Sequence, residues 1–366
     1  MGVVVLRWVA ISVGLLACQP LGETMEGDLT YRQGTLHAGS DGQLSLKFGV
    51  DEGQEAFLLT AEVEGSDLVH VSQVRDPEGT LLFDAQDEVV SDQWMTTAGF
   101  LDSVVSLNWP ILPSHEALVP GRWEVTLGTT DKTAQFVSAD VDVHLLLKPQ
   151  TRPRAVLSVT LVYAGDTIDD TLLVEASREA VRHWQDIAQA WDVDVQVTEA
   201  TYPIGDIRPP GTPAAQDVEA IAAASGIGGV NVILVDGEVG SGGIYGMAGD
   251  IPAPLVATPD SAVLISMDMA RGPDALFSEE EVRILGETMA HEVGHLLGLF
   301  HPVEIDLDAW DALDDTPRCE RTARCENQLG DNVMFPYPVC SWGGCLPQGS
   351  VTPAQIEVVR NYVGVR

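Results

Sequence analysis

Three histidines in the C-terminal half of the chain have the spacing of metal ligands. His291 and His295 are four residues apart, so on one helix both imidazoles leave the same face and can bind one ion. Gly298 follows at a position where a helix can end in a left-handed conformation that glycine adopts at little cost. That reversal would bring His301 to the same ion as a third ligand. A fourth position would stay open for water, and an open position distinguishes a catalytic zinc from a structural one.

Glu292 follows the first histidine directly and could act as the base. A carboxylate in this position accepts the proton of zinc-bound water, so hydrolysis is the chemistry that these residue types favour. The pattern is specific because a glycine and a third histidine accompany the two-histidine motif. Two other interpretations remain open, namely a buried helix with hydrogen-bonded histidines and a site that binds zinc without turnover.

Residues 291–301 read HEVGHLLGLFH and resemble the signature of the metzincin clan of zinc metallopeptidases. Metzincins carry a methionine turn beneath the metal, and residues 332–336, NVMFP, look like that turn. The resemblance implies that Met334 forms an apolar floor under the ligands. It also implies an α+β, metzincin-like zincin catalytic domain over residues 155–366, with one catalytic Zn²⁺ and peptide bonds as its substrate.

After the third histidine the chain departs from several metzincin subfamilies. Pro302 stands where other members place serine, aspartate or glutamate. Three segments resemble the pappalysin pattern: residues 314–317, 331–334 and 352–355. Residues 334–336 are closer to the matrixin turn, so the subfamily is not assigned. Tyr337 could approach the metal or the oxyanion, as a tyrosine does in some members, although its spacing from Met334 differs from the usual motif.

A glycine-rich stretch at residues 242–252 precedes the histidines. In metzincins the matching segment is an exposed edge strand that binds extended substrate through backbone hydrogen bonds, and glycine there could allow close backbone approach. The resemblance assigns substrate binding to four residues: Tyr245, Gly246, Met247 and Ala248. A flexible surface loop is the alternative interpretation of this stretch.

The elements around the histidines are predicted to alternate between strand and helix. Ser278 and Glu281 form a capping-box pattern that would open the helix carrying the first two histidines. Five apolar residues would face the core and leave these histidines facing the cleft: Val282, Leu285, Met289, Val293 and Leu296. A helix is predicted at residues 170–191, and strands are predicted at residues 156–163, 193–197, 230–235 and 262–267.

The N-terminal half has a different pattern. Between residues 23 and 148, short alternating stretches are separated by turn signals and include no convincing helix, which predicts an all-β sandwich domain. The basic, proline-bearing segment at residues 149–154 would be the linker to the catalytic domain. A cut in this segment would release the sandwich if it were a prodomain.

The first 18 residues predict export. Arg7 precedes an apolar run over residues 8–17, which suits a signal peptide and is short for a membrane span. Residues 15–18, LLAC, resemble a bacterial lipobox, which implies lipidation at Cys18 and a lipoprotein of the cell envelope, at the outer membrane or cell surface or released from it. A plain secretory signal with an incidental cysteine is the alternative.

The remaining cysteines bracket the predicted methionine turn: Cys319, Cys325, Cys340 and Cys345. An even number of cysteines in an exported chain predicts two disulfides, which would fix the loop that carries Met334. All three pairings stay open. Zinc binding by these cysteines fits their spacing and an oxidising compartment less well.

Length and charge complete the expectations. The length of 366 residues predicts two domains. A formal charge of −36 argues against nucleic acid and anionic membrane as partners. The lipid predicted on Cys18 would then be the contact with the membrane. Scattered aspartates could hold Ca²⁺, although a solvated acidic surface is the simpler interpretation. With the resemblance, these features predict a monomeric zinc endopeptidase acting on extracellular proteins. The alternative is a surface lipoprotein whose sandwich binds a partner or polysaccharide, with the zinc domain latent or inactive.

Overall fold

The computed structural model describes residues 21–150, 154–209, 215–237, 239, 243–272 and 276–366. The predicted signal segment with Cys18, residues 151–153 of the predicted linker, and Gly242 lie outside the described residues. Within the described part of the chain, no helix is long and apolar enough to cross a membrane.

The described residues form mostly strands in the N-terminal half and both strands and helices in the C-terminal half. The strands are β1 Gly22–Glu26, β2 Leu29–His37, β3 Gln43–Val50, β4 Gln54–Val63, β5 Leu68–Arg75, β6 Leu81–Asp84, β7 Gln93–Trp94, β8 Val104–Trp109, β9 Gly121–Thr130, β10 Asp140–Pro149, β11 Ala155–Ala164, β12 Val193–Tyr202, β13 Val230–Val235, β14 Gly246–Ala248, β15 Val263–Ser266, β16 Trp310–Asp311, β17 Cys340–Ser341 and β18 Gly344–Cys345. The helices are α1 Ala85–Val89, α2 Thr171–Ala190, α3 Gln216–Ser225, α4 Met267–Ala270, α5 Glu279–Leu296, α6 Thr322–Leu329 and α7 Pro353–Asn361, and a 3₁₀ helix spans Gly165–Asp169.

The N-terminal part, residues 21–149, forms two antiparallel sheets. One has the strand order β1-β2-β10-β4-β8 and the other has the order β3-β9-β5-β6. Their inward faces share one hydrophobic core, in which Trp109 and Phe57 of the first sheet pack against Trp123 of the second. The expectation of no helix in this part is wrong, because Ala85–Val89 forms a single helical turn in which the Asp84 side chain caps the Gln86 amide.

The C-terminal part contains a five-stranded sheet with the order β12-β11-β13-β15-β14. Four of its strands are parallel, and β14 is antiparallel to β15 at the edge of the sheet, as far as the described residues extend. Helices α2 and α5 pack closely, since a Cβ at Gly286 would lie 2.5 Å from the Ala180 carbonyl oxygen. The strand predicted at residues 262–267 is shorter, since β15 spans Val263–Ser266, and three short strands that were not predicted follow it: β16, β17 and β18.

Strands β7 and β16 join the two parts through a short parallel pair, with Asp311 opposite Trp94. Asp311 is buried, and its carboxylate accepts hydrogen bonds from the Thr316 hydroxyl at 2.5 Å and from the Leu313 amide at 3.4 Å. Burial raises the pKa of Asp311 from 3.8 to about 7, against the opposing effect of these hydrogen bonds. The folded chain therefore binds this proton more tightly than the unfolded chain.

We expect Asp311→Asn to reduce the pH dependence of stability. The contribution of the proton is fully present below the unfolded pKa of about 3.8 and is lost as pH rises through about 7, at about 1.4 kcal/mol for each pKa unit. Urea unfolding at pH 5 and pH 8 should show a larger loss of stability for the parent than for the variant. Asp314→Asn, at an exposed neighbour, should behave like the parent. Equal losses in parent and Asp311→Asn would contradict this assignment.

Candidate metal centre

Helix α5 presents the first two histidines to the cleft. It opens with the predicted capping box, in which the Ser278 amide donates to Glu281 at 2.7 Å and the Glu281 amide donates to Ser278 at 3.2 Å. The five predicted core residues of this helix are all buried: Val282, Leu285, Met289, Val293 and Leu296. Because they fix the rotation of the helix, His291 and His295 are directed away from this core.

Gly298 reverses the chain at the end of α5. Its φ is +106°, and two hydrogen bonds close the turn, from the Leu299 amide to the Gly294 carbonyl at 2.9 Å and from the Gly298 amide to the His295 carbonyl at 2.8 Å. This pair of bonds is a Schellman motif, which favours glycine at the left-handed position. The reversal places His301 beside the two histidines of the helix.

The three imidazoles converge through their Nε2 atoms. The distances are 3.2 Å between His291 and His295, 3.2 Å between His291 and His301, and 3.1 Å between His295 and His301. Among the described residues, these side chains form the one group placed to hold a metal ion. Burial, with a smaller contribution from neighbouring His301, lowers the pKa of His291 to about 3 and that of His295 well below its ordinary value. Both rings are therefore neutral at pH 7.

Each imidazole is oriented by its other ring nitrogen. The Nδ1 contacts are His291 with the Val333 carbonyl at 2.7 Å, His295 with the Leu299 carbonyl at 2.7 Å, and His301 with the Glu304 carboxylate at 3.0 Å. A carbonyl oxygen only accepts hydrogen bonds, so Nδ1 carries the proton and Nε2 carries the lone pair. Three lone pairs facing one another repel unless a cation lies between them. The donor set therefore fits a metal such as zinc, which neutral imidazoles bind through one nitrogen each.

The Glu292 side chain extends from α5 towards the edge strand β14. A Cβ at Gly246 would lie 2.6 Å from the Glu292 Cγ, so the missing side chain at 246 makes room for the carboxylate. The sequence suggested a different reason for this glycine, namely close approach of a substrate backbone. Burial raises the pKa of Glu292 to about 8, partly offset by a hydrogen bond from the Ala248 backbone. The carboxyl group is thus largely buried beside the histidines, at the surface of the cleft that they line.

Met334 is fully buried beneath the helix that carries the histidines. A Cβ at Gly294 would lie 2.5 Å from its sulfur, so a larger residue at 294 would displace the methionine. The Asn332 side chain accepts from the Met334 amide at 2.9 Å and is itself paired with the Gln355 side chain at 2.9 and 3.2 Å. The turn also supplies the Val333 carbonyl to the first histidine. It therefore positions both the apolar floor and one imidazole.

The histidines and Glu292 line an open cleft of about 530 Å³. One wall contains the four residues assigned to substrate binding: Tyr245, Gly246, Met247 and Ala248, of which the last three form β14. Pro336 and Tyr337 also line the cleft. The Tyr337 ring packs against Phe335 with 4.9 Å between centroids, and its hydroxyl donates to Glu326 at 3.4 Å. In the structure this hydroxyl is therefore hydrogen-bonded to Glu326 and not to a histidine.

The four cysteines form two local disulfides, Cys319–Cys325 and Cys340–Cys345. Their sequence separations are 6 and 5 residues, so each bond closes a small loop on one side of Met334 and neither spans the turn. Both bonds flank the segment that builds the cleft wall. With all four sulfurs oxidised, none of them is a thiolate available to zinc.

Three residues of the site were missed in the sequence. Glu304 orients His301, and the pair Asn332 and Gln355 holds the methionine turn. The signal for Glu304 is its position three residues after the third histidine, since metal-bound imidazoles commonly donate to a carboxylate. The pairing of Asn332 with Gln355 has no local signal, because the two residues meet only in the folded chain.

We expect Glu304→Ala to weaken zinc binding by about 10–100-fold, because the third imidazole loses the acceptor that fixes its orientation. Glu304→Gln keeps an amide oxygen that can accept from Nδ1 and should lie between Glu304→Ala and the parent. Competition with a chromophoric zinc chelator measures the affinities. An alanine variant with the affinity of the parent would show that this contact does not support the ligand.

No protein-family model matches the chain, and no curated protein matches it. Among solved structures, it is similar to metalloproteinase-II from Bacteroides fragilis, with 15% identity, a TM-score of 0.30, and coverage of 47% of this chain and 48% of that chain. It is also similar to myroilysin, with 14% identity, a TM-score of 0.27, and coverage of 58% of this chain and 95% of that chain. The chain thus spans about half the length of the Bacteroides fragilis protein.

Proposed function

We propose that this chain is a zinc-dependent endopeptidase that hydrolyses peptide bonds of extracellular proteins. The observation that carries this proposal is the convergence of three Nε2 atoms within 3.2 Å, each on a ring anchored through Nδ1. The buried carboxylate of Glu292 lies next to the first of these ligands in the chain. All four side chains line one open cleft of about 530 Å³.

In this proposal the three imidazoles hold zinc, and Glu292 moves the proton. Zinc, when bound, supplies a Lewis acid that polarises the scissile carbonyl and makes water more acidic. Glu292 accepts a proton from the attacking water and delivers it to the leaving amine nitrogen, so one water is consumed for each C–N bond broken. The position of Glu292 supports this role, because its carboxyl group lines the cleft beside His291 and His295.

An extended substrate would bind along β14. This strand ends the sheet within the described residues, and its three residues line the cleft beside Glu292. A peptide added to a free sheet edge gains backbone hydrogen bonds that do not depend on its sequence. Unfolded or extended protein segments are therefore the substrates we propose.

The finer assignments belong to the same proposal. The Schellman turn at Gly298 and the buried Met334 support a metzincin-type site, with the subfamily unassigned. The two antiparallel sheets with a common core support a β-sandwich domain at the N-terminal end. Export as a monomeric lipoprotein anchored through Cys18 to a bacterial envelope remains a prediction from the sequence.

Cleavage of an unfolded protein by a soluble form spanning residues 19–366 tests the proposal. Fragments should form with the parent, disappear when a zinc chelator is added, and return when zinc is restored. Glu292→Ala should form them about 10³-fold more slowly. Absence of cleavage by the zinc-loaded parent would contradict the proposal and favour the alternative of a binding lipoprotein with an inactive zinc domain.

A further inference from the structure

The N-terminal part reaches one wall of the cleft through Thr97. The Thr97 amide donates to the Ile251 carbonyl at 2.8 Å, and the Ile251 amide donates back to the Thr97 hydroxyl oxygen at 3.3 Å. The same hydroxyl donates to the Asp250 carboxylate. Ile251 lines the cleft and lies three residues beyond the end of β14. Thr97 is therefore hydrogen-bonded to the segment that continues the proposed substrate-binding strand.

The residues just before Thr97 reach the segment that follows the third histidine. The Trp310 amide donates to the Asp92 carbonyl at 2.9 Å, and the Ala312 amide donates to the Trp94 carbonyl at 3.0 Å. The Trp94 ring packs edge to face on Phe300, with 6.1 Å between centroids, and Phe300 directly precedes His301. Residues 92–97 thus contact both the segment that follows β14 and the segments on either side of the third histidine.

Buried polar contacts hold the N-terminal part in place. The Asn108 side chain accepts from the Val363 amide at 3.0 Å and donates to the Asn361 carbonyl at 3.2 Å. The buried Lys148 ammonium donates to the Tyr362 carbonyl at 3.3 Å. Leu58 and Leu146 belong to the hydrophobic core of the C-terminal part. Removal of residues 21–149 would take away the partners of the Val363 amide and the Tyr362 carbonyl and would expose apolar core of the C-terminal part to water, which is unfavourable.

We propose that residues 92–97 are a positioning segment of the cleft and that Thr97 fixes the conformation of Asp250, Ile251 and, through them, β14. The N-terminal part is then a permanent component of the enzyme and not a removable prodomain. This proposal rests on the proposed peptidase activity for its kinetic consequence, whereas its structural consequence can be measured without any activity.

Hydrogen–deuterium exchange on the soluble full chain, residues 19–366, tests the positioning directly. Thr97→Val removes the hydroxyl and keeps the shape, Thr97→Ser keeps the hydroxyl, and Thr129→Val removes a buried hydroxyl that bonds only within the N-terminal part.

Amides of residues 244–252 should exchange about tenfold faster in Thr97→Val than in the parent, given the loss of hydrogen bonds to one hydroxyl. Thr97→Ser and Thr129→Val should retain the exchange of the parent in this segment. Thr97→Ala repeats the comparison with a smaller side chain, should valine prevent folding.

Peptide kinetics give the second readout. Thr97→Val should raise KM for an extended peptide about tenfold, with kcat within about twofold of the parent, because substrate binding and not the proton transfer is disturbed. The serine variant should restore KM. Cleavage that is absent in every variant would contradict the peptidase function, and the exchange data would then decide the positioning alone.

Three results would overturn the positioning proposal. The first is parent-like exchange of residues 244–252 in Thr97→Val. The second is faster exchange spread evenly over the chain, without rescue by serine, which would indicate general destabilisation. The third is an active, purified chain that has been trimmed to begin near residue 154, as found by N-terminal sequencing.

Discussion

Glu292→Ala is expected to lower kcat/KM for an unfolded protein substrate by about 10³-fold, within the range of general acid–base contributions. In the proposed function the Glu292 carboxylate is the base, and none of the three imidazoles is oriented by it. Metal analysis should therefore still find one zinc per variant chain. Steady-state kinetics and zinc content, measured on the same preparation, check both parts of the prediction.

Two further variants separate chemistry from packing. Glu292→Gln preserves the volume that fits against Gly246 but cannot accept a proton in the same way, so it should lose activity to a similar degree. Glu279→Ala, an exposed glutamate in the first turn of the same helix, should keep the activity of the parent. Activity of Glu292→Gln within tenfold of the parent would contradict the assignment of the base.

His301→Ala is expected to abolish detectable cleavage and to weaken zinc binding by more than the 10–100-fold that we expect for Glu304→Ala. The change removes one of the three nitrogens that converge within 3.2 Å. The ion would then depend on His291 and His295 alone. Chelator competition gives the affinity, and the cleavage assay gives the activity.

His37→Ala provides a matched control for the loss of a histidine. His37 is exposed on β2, and its ring contacts Asp140 and Ser138, away from the cleft. This variant should bind one zinc ion with the affinity of the parent. A His301→Ala chain that binds zinc as tightly as the parent would show that the metal is held elsewhere.

The local part of the metal centre could be predicted from the sequence. Helical periodicity places His291 and His295 on one face, and a glycine three residues later permits the left-handed turn that returns His301. The capping box at Ser278 and the alternating strands are local in the same sense, because neighbouring residues determine them. These features need no knowledge of distant contacts.

The features that depend on distant contacts could not be predicted. The room that Gly246 leaves for Glu292 exists only when β14 packs against α5. The hydrogen bonds between Thr97 and Ile251 join residues more than 150 positions apart, and nothing near either residue in the sequence indicates the other. The disulfide pairing follows from the path of the loops, which the cysteine spacing leaves open.

The buried Lys148 illustrates a similar limit. In the sequence it directly precedes the basic, proline-bearing segment at residues 149–154, whose composition is typical of an exposed linker. In the structure it lies in β10, where burial lowers the pKa of its ammonium group to about 8 and its donors are directed at backbone carbonyls near the end of α7. The composition of this stretch gives no sign that Lys148 is buried between the two parts.

X-ray absorption at the zinc edge of the parent, loaded with one equivalent of zinc, tests the central claim most directly. For the zinc ion we expect three imidazole nitrogens at about 2.0–2.1 Å, one oxygen ligand, and no sulfur at about 2.3 Å. The His301→Ala chain should lose one imidazole from this spectrum. A sulfur shell, four imidazoles, or failure of the parent to retain zinc through dialysis would contradict a catalytic centre built from His291, His295 and His301.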